Sequence, residues 1–98
     1  MKKFIISIDQ GTTSSRAILF NLKGHSIYAS QTEFTQYFPK DGWVEHNPEE
    51  IWRTTLKVLK EVIKKSNQLK GKVLTIGITN QRETTILWDK KTGKAVYN

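Results

Sequence analysis

Two isoleucine-rich stretches stand almost back to back at the start of the chain, and their closeness constrains the fold more than any other feature. Residues 3–9 (Lys-Phe-Ile-Ile-Ser-Ile-Asp) read as a strand buried on both faces. Residues 15–21 (Ser-Arg-Ala-Ile-Leu-Phe-Asn) read as a second strand. The polar bend at its foot, Asp9-Gln10-Gly11-Thr12-Thr13-Ser14, is too short for anything but a hairpin. Asn21-Leu22-Lys23-Gly24 is a second turn, with Gly24 free to take positive φ. It leads into a weaker third strand over 25–35, whose Ser30, Gln31, Thr32 and Glu33 suit a sheet edge. The first third of the chain is therefore expected to be an antiparallel meander.

Residues 36–47 read as a loop, with turn chemistry at Pro39-Lys40-Asp41-Gly42 and with Trp43-Val44 expected to pin it to the body. A helix follows. Asn47 can cap it, Pro48 fits its first turn, and Glu50 stands where a capping box places a carboxylate. Over 51–65, Ile51, Trp52, Thr55, Leu56, Val58, Leu59, Val62 and Ile63 fall on one side of a helical wheel. Arg53, Lys57, Lys60, Lys64 and Lys65 fall on the other, beside Glu61. Residues 73–80 read as a strand with Leu74, Ile76 and Ile78 on one face, and residues 84–89 as another. Lys90-Lys91-Thr92-Gly93 turns the chain toward a return over 94–97. The order is β-β-β-α-β-β, an α/β arrangement with one helix for about five strands. One face of the sheet would stay bare, as in a fragment or a chain that must pair with something.

Charge adds little. The 98 residues hold 16 basic and 9 acidic side chains, and the imbalance is confined to the second half. A nucleic-acid-binding module is the alternative that this suggests. The lysines, however, follow the outer side of one helix rather than interleaving with aromatics, so a solvated surface accounts for them. Cysteine is absent, no apolar run is long enough to span a membrane, and the N-terminus lacks a cleavage site. A cytoplasmic setting is the expectation. His25 and His46 are far apart in loops, without a partner at metal-ligand spacing, and Trp43, Trp52 and Trp88 read as core or loop anchors.

Two segments carry chemistry. In Asp9-Gln10-Gly11-Thr12-Thr13-Ser14-Ser15-Arg16, a carboxylate at a strand end can hold Mg²⁺, mostly through water. The Gly and hydroxyl residues offer N–H and O–H donors to phosphate oxygens, and Arg16 adds a fixed charge. An ordinary turn has the same composition. In Thr79-Asn80-Gln81-Arg82-Glu83-Thr84, Arg82 beside Glu83 sets donors next to an acceptor, which suits a small polyol; as a surface ion pair it would contribute little.

Together these segments resemble the FGGY carbohydrate kinases, of the actin-like ATPase (ribonuclease H-like) fold, and within them the branch that phosphorylates glycerol. The residues from Asp9 to Arg16, from Gly42 to Pro48 and from Ile78 to Thr84 match in order, and the likeness extends over essentially the whole chain. It departs at Asn47, where the family pattern usually has Asp, an equally good cap. The resemblance implies ATP and Mg²⁺ as cofactors and glycerol as substrate, giving sn-glycerol 3-phosphate. It implies that Asp9 lies by the metal and the transferred phosphoryl group. Thr12, Thr13, Ser14 and Arg16 would contact the nucleotide phosphates, and Arg82 and Glu83 the glycerol hydroxyls. It places the catalytic base, the adenosine pocket and a second domain further along the family's chain. Residues 1–98 are then the N-terminal part of the first kinase domain, with no catalytic base, and are expected to be inactive alone. The rest of the kinase or self-association would cover the bare face.

Overall fold

A computed structural model describes residues 1–81 and 84–98. Its strands are β1 (Lys2–Gln10), β2 (Ser14–Asn21), β3 (Ser26–Glu33), β4 (Gln36–Tyr37), β5 (Glu45–His46) and β6 (Gly71–Asn80), with helix α1 (Pro48–Gln68) before β6. The main sheet has the order β3-β2-β1-β6. The first three strands are the expected meander, with β1 antiparallel to β2 and β2 antiparallel to β3. Helix α1 then carries the chain across the sheet, so β6 runs parallel to β1 on its free side.

Alternation along β1 and β2 decides which face the helix covers. Phe4, Ile6 and Ile8 from β1 and Ala17 and Leu19 from β2 are buried with Val58 and Val62 of α1. Burial of each large side chain contributes roughly 1.5–3 kcal/mol. Polar residues on the same side are satisfied by the helix. The buried Ser15 hydroxyl lies 2.9 Å from Thr54 Oγ1 and 3.1 Å from Thr55 Oγ1. The Ser30 hydroxyl donates to the Glu61 carboxylate. The helix therefore leans toward β2 and β3. Its other flank, with Trp52 and Ile63, stays open beside Ile76 and Ile78, which share their face with Ile6 and Ile8. Ile78 is 74% exposed. On the helix side the uncovered apolar surface is thus a strip along β6; the opposite face, with Ile5, Ile18 and Phe20 half-buried, carries no helix among the described residues.

The start of α1 follows from local chemistry. Asn47 Oδ1 accepts from the Glu49 N–H at 3.0 Å, and Pro48 occupies the first turn. The capping box is not completed. Glu50 instead accepts from the Thr35 N–H at 3.3 Å, tying the helix to the loop before it. The helix outlasts the expected 51–65, and Ser66, a small polar residue in the added turn, is buried. It ends at Gln68 with Leu69 as its C-cap, and Lys70 follows in the left-handed region at φ 56°.

Three expectations are corrected. Residues 36–47 are not simply a loop, since they contain the β4–β5 pair. Residues 84–89 are not a strand: the segment and its return meet in one bridge, Trp88 to Ala95, around the expected Lys90–Gly93 turn. A strand needs an edge to pair with, and among the described residues this segment pairs only with its own return. Finally, the tryptophans are not anchors. Trp43, Trp52 and Trp88 are all more than half exposed, and Trp43 packs within its own turn, 4.7 Å under Lys40 Nζ.

Gly71 opens β6 directly against the buried Phe4 ring, and a Cβ there would overlap the ring. Gly71→Ala is expected to cost about 1–3 kcal/mol in urea unfolding. Combining it with Phe4→Leu should cost less than the two separate losses, because the smaller side chain makes room.

Candidate functional site

The β1–β2 hairpin gathers Asp9, Thr12, Thr13, Ser14 and Arg16 at one end of the sheet. Asp9 and Arg16 are register partners on the last rungs, and alternation puts both on the face away from the helix. Thr79 of β6 flanks Asp9 and Gln31 of β3 flanks Arg16, so four polar residues form a row across all four strands. Asp9 and Arg16 are exposed. Ser14 is part of the same surface, its hydroxyl accepting from Gln31 Nε2 at 2.8 Å.

The bend between the strands is held from beneath by its carbonyls. The Gly11 carbonyl accepts from Gln10 Nε2 at 2.7 Å. The Thr12 carbonyl accepts from His46 Nε2 at 2.8 Å and from Gln36 Nε2 at 3.2 Å. The Thr13 carbonyl accepts from the Phe34 N–H at 3.1 Å. In a trans peptide the N–H points opposite to the C=O. The Thr12 carbonyl is fixed against the body, which turns the Thr13 N–H away from it, and the Gln10 side chain holds the Gly11 carbonyl opposite to the Thr12 N–H. Among the described residues, these two N–H groups donate to no backbone carbonyl. Both threonines are exposed, whereas the Gly11 N–H is taken by the Ser14 carbonyl at 2.9 Å. Successive outward amides, flanked by hydroxyls and an arginine, form a concave donor set for an anion.

His46 is the residue that sequence reasoning missed. Instead of being an idle loop histidine it is only 6% exposed, sits edge-on to Phe34 at 5.3 Å, and supports the bend. The clue lay in the Gly42–Pro48 segment, which entered only as a recognition motif.

The described residues hold no group of three or more His, Asp, Glu or Cys side chains that would cage a metal. One exposed carboxylate beside an anion cradle fits Mg²⁺ instead, an ion that keeps several waters and takes its remaining ligands from phosphate. Arg82 and Glu83 lie outside the described residues. Gln81, next to them in sequence, donates its N–H to the Gln10 carbonyl at 2.8 Å. The C-terminal end of β6 is thereby tied to the end of β1 that carries Asp9.

One end of a mixed sheet thus sets outward N–H and hydroxyl donors beside an exposed carboxylate. The sequence profile described as the FGGY family of carbohydrate kinases, N-terminal domain, matches residues 4–98, and the chain belongs to that family. Its fold is the actin-like ATPase fold of FGGY sugar kinases. Within the family the chain is similar to glycerol kinases. It is 57% identical over 98 residues to that of Bacillus thuringiensis (strain Al Hakam), which covers all of this chain and 20% of that one. The glycerol kinase of Bacillus cereus (strain AH187) gives the same figures. The crystal structure of Plasmodium falciparum glycerol kinase with ADP superposes with a TM-score of 0.88 at 38% identity, covering 99% of this chain and 20% of that one. A gluconate kinase from Lactobacillus acidophilus, at 20% identity and a TM-score of 0.86, shares the fold. The chain spans about a fifth of the length of the curated relatives it matches. Among the described residues, no helix is long and apolar enough to cross a membrane.

Proposed function

We propose that these residues form the phosphate-binding part of an ATP-dependent glycerol kinase. The observation that carries this reading is the bend at Thr12 and Thr13, whose carbonyls are engaged and whose amides are free. Those amides, with the hydroxyls of Thr12, Thr13 and Ser14, take the phosphate oxygens of ATP, and Arg16 offsets their charge. Asp9 would hold Mg²⁺, which would supply charge neutralisation on the phosphates. Arg82 and Glu83 grip the hydroxyls of glycerol. In the reaction a glycerol hydroxyl oxygen bonds to the γ-phosphorus, the bond from that phosphorus to the β-bridging oxygen breaks, and ADP leaves. The hydroxyl proton goes to a base that the family supplies from outside residues 1–98. The apolar strip of Trp52, Ile63, Ile76 and Ile78 seats the rest of the kinase domain. A cytoplasmic location suits an ATP-consuming enzyme.

The test is a chimera in which residues 1–98 replace the matching first fifth of the Bacillus thuringiensis glycerol kinase. Glycerol-dependent release of ADP is expected, with glycerol preferred over pentoses; a chimera that is folded but inert, or that prefers a pentose, refutes the reading. Within it, Arg82→Ala is expected to raise the KM for glycerol at least about tenfold, the scale of one charge-assisted hydrogen bond. The KM for ATP should stay nearly constant.

A further inference from the structure

The hydrogen bonds of His46 run beyond the bend. Its Nε2 faces the Thr12 carbonyl, a pure acceptor, so Nε2 carries the proton. Its Nδ1 lies 3.2 Å from Thr84 Oγ1 and is left to accept. The Thr84 hydroxyl also donates to Gln81 Oε1 at 2.9 Å. One hydroxyl proton cannot serve both an imidazole nitrogen and an amide oxygen. Exchanging the two ends of the Gln81 amide removes the conflict: Nε2, which has no partner among the described residues, then faces Thr84, and Oε1 takes the buried place it leaves. With the amide so turned the chain has a single direction: Gln81 Nε2–H to Thr84 oxygen, Thr84 O–H to His46 Nδ1, His46 Nε2–H to the Thr12 carbonyl. It joins positions on either side of the Arg82-Glu83 pair to the floor of the phosphate bend.

Resting on the kinase reading above, we infer that His46 is a positioning residue that holds the polyol-binding segment and the phosphate bend in register. Neither end is fixed by local sequence, since Thr12 lies 34 residues from His46 and Thr84 lies 38. The imidazole is the shared strut. If the Thr12 carbonyl loses its donor, that peptide can turn and the Thr13 N–H loses its aim; if Thr84 is removed, the strut loses its footing on the polyol side.

The experiment uses the chimera described above. Glutamine carries an amide nitrogen near the place of Nε2, and asparagine carries its amide near Nδ1. His46→Gln is therefore expected to keep the KM for ATP within about threefold, while His46→Asn raises it about tenfold, as expected for an acceptor left without its buried donor. Thr84→Val should raise the KM for glycerol more than that for ATP. A side chain that serves packing alone would shift both constants and the Tm together. Equal effects of His46→Gln and His46→Asn overturn the inference. A second reading comes from the ¹⁵N signals of the His46 ring: a proton on Nε2, with Thr84→Val moving the Nδ1 signal, supports the strut, and a proton on Nδ1 alone overturns it. If the unmutated chimera shows no turnover, the kinase reading fails, and the ring signals still decide the role of His46.

Discussion

Asp9→Ala in the chimera is expected to lower kcat about 100- to 1,000-fold while leaving the fold intact. The size follows from the kind of group removed. Phosphoryl transfer depends on positioning and on charge stabilisation, and loss of one well-placed stabilising group costs roughly that factor. The specificity follows from where Asp9 sits. It is on the last rungs of the β1–β2 ladder, exposed, on the face away from the core. It is not a member of the buried cluster, so stability should change by less than about 0.5 kcal/mol. Asp9→Asn is the sharper variant, because it keeps the shape and removes only the charge; an equal loss assigns the effect to the carboxylate. Turnover should be measured with the Tm of each variant. A folded Asp9→Asn protein with more than a third of normal kcat would rule out a metal-side role for this residue.

The parts of this structure that were legible in the sequence are those fixed by neighbours in the chain. The β1–β2 hairpin follows from two apolar runs separated by a bend with no room for a crossover. The helix start follows from Asn47 and Pro48, whose effects are local. The helix end was misjudged because the left-handed position falls on Lys70, one residue before Gly71. The β4–β5 pair was invisible because two-residue strands carry no periodicity. Residues 84–89 looked like a strand because alternation reports a pleated surface, not the presence of a partner edge. The same distinction separates the seen from the unseen parts of the site. Asp9 through Arg16 lie on one hairpin and could be read in a line. The support beneath it comes from Phe34, Gln36 and His46, and its logic appears only when the fold brings them under the bend. A histidine with partners 34 and 38 residues away looks idle in the sequence. The roles of Arg82 and Glu83 rest on the family pattern, and their test is kinetic.

Leu19→Ala is the substitution expected to damage the scaffold most while sparing the chemistry. Leu19 has no exposed surface and pairs with Ile6 at the middle of the hairpin, where both pack under Val58 and Val62. Truncating it removes buried methyl groups and leaves a cavity that the sheet cannot close, a loss of about 3 kcal/mol within the usual 2–5. Natural domains have only about 5–15 kcal/mol in all, and a chain with an open apolar strip along β6 has little reserve. Urea unfolding followed by tryptophan fluorescence should therefore show a large fall in midpoint. Leu22→Ala, in the turn after β2 and 57% exposed, should leave it nearly unchanged. The Ile6–Leu19 rung is three rungs from the Asp9–Arg16 rung, about 10 Å along the strands. At temperatures where the variant chimera is folded, its KM for ATP should stay within about twofold of the parent. A rise in KM without loss of stability would mean that the bend is aimed by the core beneath the sheet rather than by the contacts of Phe34, Gln36 and His46.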